Sequence, residues 1–200
     1  MQKGQLTRHA IIEQALGAAA RVGFESLSLS TLATDTGMSK SGLYAHFKSK
    51  EALQQAVLER ATEKFYEIVI RPAMRERRGI PRLGALFDGY LEWLGGSANQ
   101  GRCIFMALSQ ELRDRPGPVR DQLVAALKDW HSTIVRVVHD AMEEGELRAD
   151  IDAHQFAFDM VGVGMSFQHA FGLLGRQDAE DMARRGFAAL VEGASTERSH

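Results

Sequence analysis

Residues 28–53 read SLSTLATDTGMSKSGLYAHFKSKEAL, and the order of residue types in this stretch decides the fold. Leu29, Leu32 and Ala33 share one apolar face at helical spacing, which predicts a helix from Ser28 or Ser30 to Thr36. Gly37 stops it, because a glycine just past a helix end accepts the left-handed backbone that closes the last turn. Ser39 follows as a cap whose hydroxyl accepts the free amides of a second helix. That helix is expected over Lys40 to Phe47, with Leu43 and Phe47 four apart on its inward face. Lys40, Ser41, Gly42, Tyr44 and His46 then point elsewhere. A helix end carrying a cation, hydroxyls, a phenol and an imidazole suits phosphate oxygens and base edges, and Gly42 lets the backbone approach closely. Lys48 and Lys50 extend the same basic edge.

On spacing alone, a short helix, a glycine and a second helix also describe the corner of an ordinary bundle. Side-chain identity favours DNA. The segment TLATDTGMSKSGLYAHFKSKEAL closely resembles the helix-turn-helix of TetR-family transcriptional regulators, in its tyrosine, its x-H-F step and its S-K-E-A-L exit. At motif level the resemblance covers residues 7–55; beyond them it extends only to length, helical pattern and order of elements. It implies a recognition helix in the major groove, with Lys40, Ser41 and Gly42 reading base edges and Tyr44, His46 and Lys50 holding phosphates. Ser28, Ser30 and Thr31 would add contacts from the preceding helix, and Ser39 and Lys48 complete the DNA-binding set. Gly42 stands where many members carry threonine, which removes a hydroxyl from that position.

The formal net charge of −2 divides unevenly along the chain. Residues 1–53 carry Lys3, Arg8, Arg21, Lys40, Lys48 and Lys50 against Glu13, Glu25, Asp35 and Glu51, a balance of +2 that leaves −4 for the rest. The cations sit at the termini and on the second helix, where phosphates would lie. Two hundred residues, 44% of them hydrophobic, suffice for a sizeable core, and four prolines with apolar residues at helical spacing predict an all-α chain. The single cysteine, Cys103, makes no intrachain disulfide, and its apolar surroundings CIFMAL point to a buried structural thiol. No apolar stretch reaches the length of a signal-peptide core or a membrane span, so a soluble, cytoplasmic protein is expected.

Outward from the opening segment, Thr7 is expected to cap a helix from Arg8 to Val22 that Gly23 stops. From Lys50 a helix carries Leu53, Val57, Ala61, Phe65 and Ile68 inward until Pro72 kinks or ends it. The expected architecture is therefore a three-helix helix-turn-helix DNA-binding domain, residues 1–53, joined by that continuous helix to a larger helical effector-binding and dimerisation domain, residues 54–200. Further helices are expected over Arg82–Leu94, Cys103–Leu112 and about Val119–Glu144. Asp152 with Gln155 three residues on reads as a variant capping box opening a helix from Ala153 to Leu174, and Asp178 starts the last one. The 153–174 segment is apolar on two sides, Phe156, Met160, Val163 and Phe167 on one and Phe158, Val161 and Met165 on the other. One partner of this helix is thus sought outside the chain.

Phe87, Trp93, Phe105, Met106, Trp130, His131, Met160, Met165, Gln168 and His169 are the candidate effector pocket. Their aromatic and methionine surfaces also suit plain core, while polar groups embedded in apolar helices invite a small-molecule partner. Phe156, Phe158, Val161, Phe167, Phe171, Phe187 and Leu190 are the candidate dimer interface, which the resemblance implies is a four-helix bundle of the last two helices across a two-fold. No metal site is expected: His131 and His139 lie about 12 Å apart along one helix axis, and Asp150 and Asp152 beside His154 have capping work. No nucleophile elbow, phosphate loop or His-Glu-x-x-His pattern occurs, and Gly162-Val163-Gly164 lies inside a helix. The expected function is a non-enzymatic, ligand-responsive repressor without a cofactor. It would bind a pseudo-palindromic operator in double-stranded DNA as a homodimer and be released by a small-molecule effector, away from any membrane. The alternatives are a helical small-molecule binder or enzyme with a vestigial helix-turn-helix, and a structural dimer that bends DNA.

Overall fold

The computed structural model describes residues 3–96 and 103–196. They form α1 (Lys3–Ser26), α2 (Leu29–Thr36), α3 (Lys40–His46), α4 (Lys50–Phe65), a π turn (Tyr66–Ile70), α5 (Arg71–Ala73), α6 (Ile80–Gly95), α7 (Ile104–Glu111), α8 (Pro118–Glu143), α9 (Ala153–Gly172) and α10 (Ala179–Ala194). Among the described residues the chain is all-α, with an isolated bridge between Leu147 and Ser195. No helix of the described residues is long and apolar enough to cross a membrane. Packing divides the chain into two units, Met1–Lys64 with Cys103–Ala126 and Phe65–Arg102 with Leu127–His200.

In the first unit, α1 begins earlier than the Thr7 cap predicts, and its regular helix stops at Gly23 as expected, the range to Ser26 adding a short further turn across a kink. The Gly23 φ of 77° and ψ of 172° lie where only glycine goes cheaply. Ile11, Ile12, Ala15, Leu16 and Ala19 of α1 are buried, as are Leu32, Ala33, Leu43 and Phe47 of α2 and α3. Leu53, Ala56, Val57, Leu58 and Ala61 of α4 and Cys103, Ile104, Phe105 and Leu108 around α7 are buried too. The Arg8 guanidinium lies 5.1 Å from the centre of the Phe47 ring, which ties the exit of α3 to α1. Glu13 joins α1 to α4, accepting from Arg60 Nε at 2.7 Å and from Lys64 Nζ. Partial burial pushes the Glu13 carboxyl up, but the bonds from Lys64 and Arg60 outweigh it and hold the group below the usual carboxylate range.

In the second unit, the helix that began at Lys50 widens before its proline. Pro72 has no N–H to donate to Ile68, and Arg71 N–H donates to Tyr66 O, five residues back. Gly89 of α6 lets this π turn approach closely: a β-carbon there would lie 2.9 Å from Val69 Cα. The start of α6 follows Gly79, at φ 102°, and its Ile80 N–H donates to Glu146 Oε2 at 2.6 Å. That backbone bond, with the Arg77 ion pair behind it, holds the Glu146 carboxyl low. Asp152 caps α9 by accepting from His154 and Gln155 amides at 2.8 and 3.1 Å. The reciprocal half of the expected capping box is not made, because Gln155 Nε2 donates forward to Asp159 Oδ1 instead. Asp178 precedes α10 without a capping side-chain bond.

Candidate nucleic-acid interface

Two backbone bonds and one hydroxyl build the turn between α2 and α3. Met38 N–H donates to Ala33 O at 2.9 Å and Gly37 N–H to Thr34 O at 3.2 Å, with Gly37 at φ 65°. This paired closure satisfies the last carbonyls of α2 and needs a residue that tolerates positive φ. Ser39 then turns the chain: its backbone is extended and its Oγ accepts from Gly42 N–H at 3.1 Å. A second cap, Ser49, accepts from Ala52 N–H at 3.0 Å and starts α4. Its position one residue before Lys50 is the sequence signal for it.

With Leu43 and Phe47 buried, α3 presents Ser41, Tyr44 and Ala45, and Lys48 is exposed two residues past its end, beyond the extended Phe47. Ser41, Tyr44 and Ala45 stand at i, i+3 and i+4, one face of the helix. Tyr44 is 52% exposed although it is a large aromatic residue. Ala45, absent from the sequence-derived set, belongs to this face, and a small methyl suits contact with a thymine methyl. Ser30 is exposed, Ser28, Gly42 and His46 are half-buried, and the side chains of Thr31 and Lys40 lie outside the described residues. Ser39 is exposed, with its hydroxyl engaged in the cap and 3.2 Å from Ser41 Oγ. Lys50 is also exposed, but its Nζ donates to the carbonyl of Glu25 at 2.7 Å, which leaves two ammonium protons for any other acceptor.

The residues named as an effector pocket separate between the units. Phe105 and Met106 belong to the first. In the second, Phe65 meets both tryptophans edge-on, with ring centres 5.4 Å from Trp93 and 5.0 Å from Trp130, and Tyr90 lies 5.3 Å from Trp130. Phe87 and Met160 are buried in the same unit, and Phe87 stacks on Phe187 at 4.1 Å. The Trp130 indole Nε1 is buried and has no hydrogen-bond partner among the described residues, in a residue only 8% exposed. His131 and Gln168 are half-buried, and His131 stacks against His154 with ring centres 5.7 Å apart. Met165 and His169 are exposed.

The residues named for a dimer interface separate by face. Phe156 and Phe167 are buried within the chain, whereas Phe158 is 69% exposed, and Met165 of the pocket set is 50% exposed. Val161, Phe187 and Leu190 are half-buried, and Phe171 is exposed and stacks with Phe167. Leu173, Leu174 and Met182 add exposed apolar surface around the turn into α10. Among the described residues no group of three or more histidine, cysteine or acidic side chains has the geometry to hold a metal ion.

Residues 11–57 match the model of bacterial regulatory proteins of the tetR family, and residues 79–187 match the tetracyclin repressor-like C-terminal domain. The HTH-type transcriptional regulator UidR of Escherichia coli (strain K12) is 27% identical over 97% of this chain and 95% of its own length. A TetR transcriptional regulator from Chloroflexus aurantiacus superposes with a TM-score of 0.84 at 25% identity, covering 96% of this chain and 95% of that one. AibR, solved in complex with isovaleryl coenzyme A and operator DNA, shares the fold at a TM-score of 0.73 and 23% identity, over 94% of this chain and 97% of that one.

Proposed function

Because the chain belongs to the tetR family of bacterial regulatory proteins, we propose that it is a homodimeric repressor that reads a pseudo-palindromic operator and releases it when a small molecule binds. The observation that carries this reading is the exposed face Ser41, Tyr44 and Ala45 of a short helix whose other side is anchored by Leu43 and Phe47, with Lys48 exposed just past its end. A solvent-facing tyrosine beside hydroxyls and a lysine is a poor surface for burial and a good one for phosphates and base edges.

In this reading Lys40, Ser41 and Gly42, at the first turn of α3, read bases. Tyr44, His46, Lys48 and Lys50 hold phosphates, and Ser28, Ser30 and Thr31 contact the backbone from α2. Symmetric operators are read by symmetric proteins, and we assign the two-fold to α9 and α10 on the strength of exposed Phe158, Met165 and Met182. We place the effector in the second unit, in the aromatic neighbourhood of Phe65, Phe87, Tyr90 and Trp130. The support is the buried indole N–H of Trp130, which has no acceptor among the described residues and whose desolvation a ligand oxygen would offset. AibR shows that this fold accommodates an acyl-coenzyme A ligand together with operator DNA. The reading needs the effector to favour a spacing of the two recognition helices that the operator does not fit, and a coupling of about 1 to 3 kcal/mol suffices.

Capture of bound fragments from sheared genomic DNA, followed by sequencing, tests the central statement through a shared motif with half-sites about one helical turn or a multiple apart. On that motif, Lys40→Ala is expected to cost about 1 to 3 kcal/mol and to relax base preference. Lys48→Ala is expected to weaken operator and scrambled duplex alike and to lower the salt slope by about one. Lys48 is the cleaner phosphate probe, since Lys50 also holds the Glu25 carbonyl. Equal losses on both duplexes for Lys40→Ala would remove it as a reader.

A further inference from the structure

The corner between α1 and the helix-turn-helix is held largely by side chains from elsewhere in its unit. At the Gly23 break the carbonyls of α1 no longer line up with the amides that follow. Phe24 N–H donates to Glu111 Oε2, at the end of α7, over 2.8 Å. From α4, Gln54 Nε2 donates to the Phe24 carbonyl at 3.2 Å and Lys50 Nζ to the Glu25 carbonyl at 2.7 Å. Arg115, in the connection from α7 to α8, pairs with the Glu25 carboxylate. Two consecutive residues, Phe24 and Glu25, are thus gripped by four side chains.

These contacts differ in strength. The Lys50 and Arg115 contacts are exposed and face competition from water and salt. Gln54 is neutral. Glu111 alone makes a charge-assisted bond that is partly buried, and its removal would leave a backbone amide inside the corner without its acceptor. The fit is close as well: a β-carbon on Gly23 would lie 2.6 Å from Glu111 Oε2, so the glycine serves both the positive φ and the approach of the carboxylate. The same side chains, Glu25, Lys50, Gln54, Glu111 and Arg115, are among those that line a cleft of about 190 Å³.

We propose that Glu111 is a positioning residue for operator reading: its carboxylate fixes the angle at which the chain leaves α1, and so the direction in which α2 and α3 are presented. It touches no DNA in this scheme. The proposal rests on the DNA-binding reading above, and it makes the tip of α7 a determinant of affinity although α7 carries no basic stripe.

The test starts from a random-sequence duplex pool selected by the wild-type chain, which supplies an operator and a scrambled control. Glu111→Ala is expected to bind the operator about tenfold more weakly, 1.4 kcal/mol, while scrambled duplex at low salt changes by less than about twofold. Glu111→Gln, whose amide oxygen still accepts from Phe24 N–H, should stay within about threefold of wild type on both duplexes. In the wild-type chain, which requires no substitution to fold, nuclear magnetic resonance should show the Phe24 amide gaining exchange protection on operator and less on scrambled duplex. Unchanged operator affinity in Glu111→Ala, a parallel loss on both duplexes, or equal protection of the Phe24 amide on both would overturn the role of Glu111. A pool with no enriched sequence would remove the DNA-binding reading itself, a separate result from an enriched motif that Glu111→Ala binds normally.

Discussion

Glu13 sits between two cations of α4, and its carboxyl is held below the ordinary carboxylate range by Lys64 and Arg60 against the opposing effect of burial. A carboxylate lowered in the folded state contributes stability that is fully present above its unfolded value, about 4.3, and is lost as pH falls through the folded one. Glu13→Gln is therefore expected to melt lower than wild type at neutral pH. The gap, about 1 kcal/mol or roughly 2 to 4 °C after allowing for partial exposure, should close as the pH is lowered through the carboxylate range. Melting curves of both proteins from neutral to acid pH check this, and a gap independent of pH would mean that the pair adds nothing to linkage.

Helix α6 contains its own internal comparison. Gly84 has nothing within 4 Å of where a β-carbon would stand, while Gly89 faces Val69 backbone at 2.9 Å, which cannot rotate away as a side chain would. Gly84→Ala should stabilise the chain by about 0.5 to 1 kcal/mol through helix propensity. Gly89→Ala should destabilise it by about 1 to 3 kcal/mol by forcing α6 off the π turn. Thermal or denaturant unfolding of the two variants decides, and a stabilised Gly89→Ala would show that this contact is loose. The same contact marks where the sequence was readable and where it was not. The turn at Gly37 and Ser39 is legible because its chemistry is local: one glycine in a left-handed conformation and one hydroxyl at a helix start. The two faces of α9 are legible for the same reason, since Phe156, Met160 and Phe167 against Phe158 and Met165 follow the helical period. The π turn has no comparable signature, because the widening is a backbone adjustment beside Pro72 that a side-chain pattern does not encode. Glu111 is hidden for a different reason: its partner, the Phe24 amide, is 87 residues away. Phe105 and Met106 look like companions of the tryptophans in composition, and only tertiary packing assigns them to the other unit.

For the molecule as a whole, the proposed two-fold is the statement with the widest consequences, because two half-sites need two recognition helices at a fixed separation. Phe158→Glu with Met165→Glu puts two charges on the exposed apolar face of α9 and leaves the buried face intact. The double variant is expected to sediment as a monomer with unchanged helical content and to lose most of its operator affinity. A variant that stayed dimeric would move the two-fold elsewhere. Both tryptophans of the chain, Trp93 and Trp130, lie buried in the second unit beside Phe65. The protein therefore carries its own optical asymmetry. Its intrinsic emission is expected to report on the second unit alone, so that a ligand settling near the indoles would announce itself without a dye while a duplex docking on α3 would pass unseen unless its arrival is felt in the second unit.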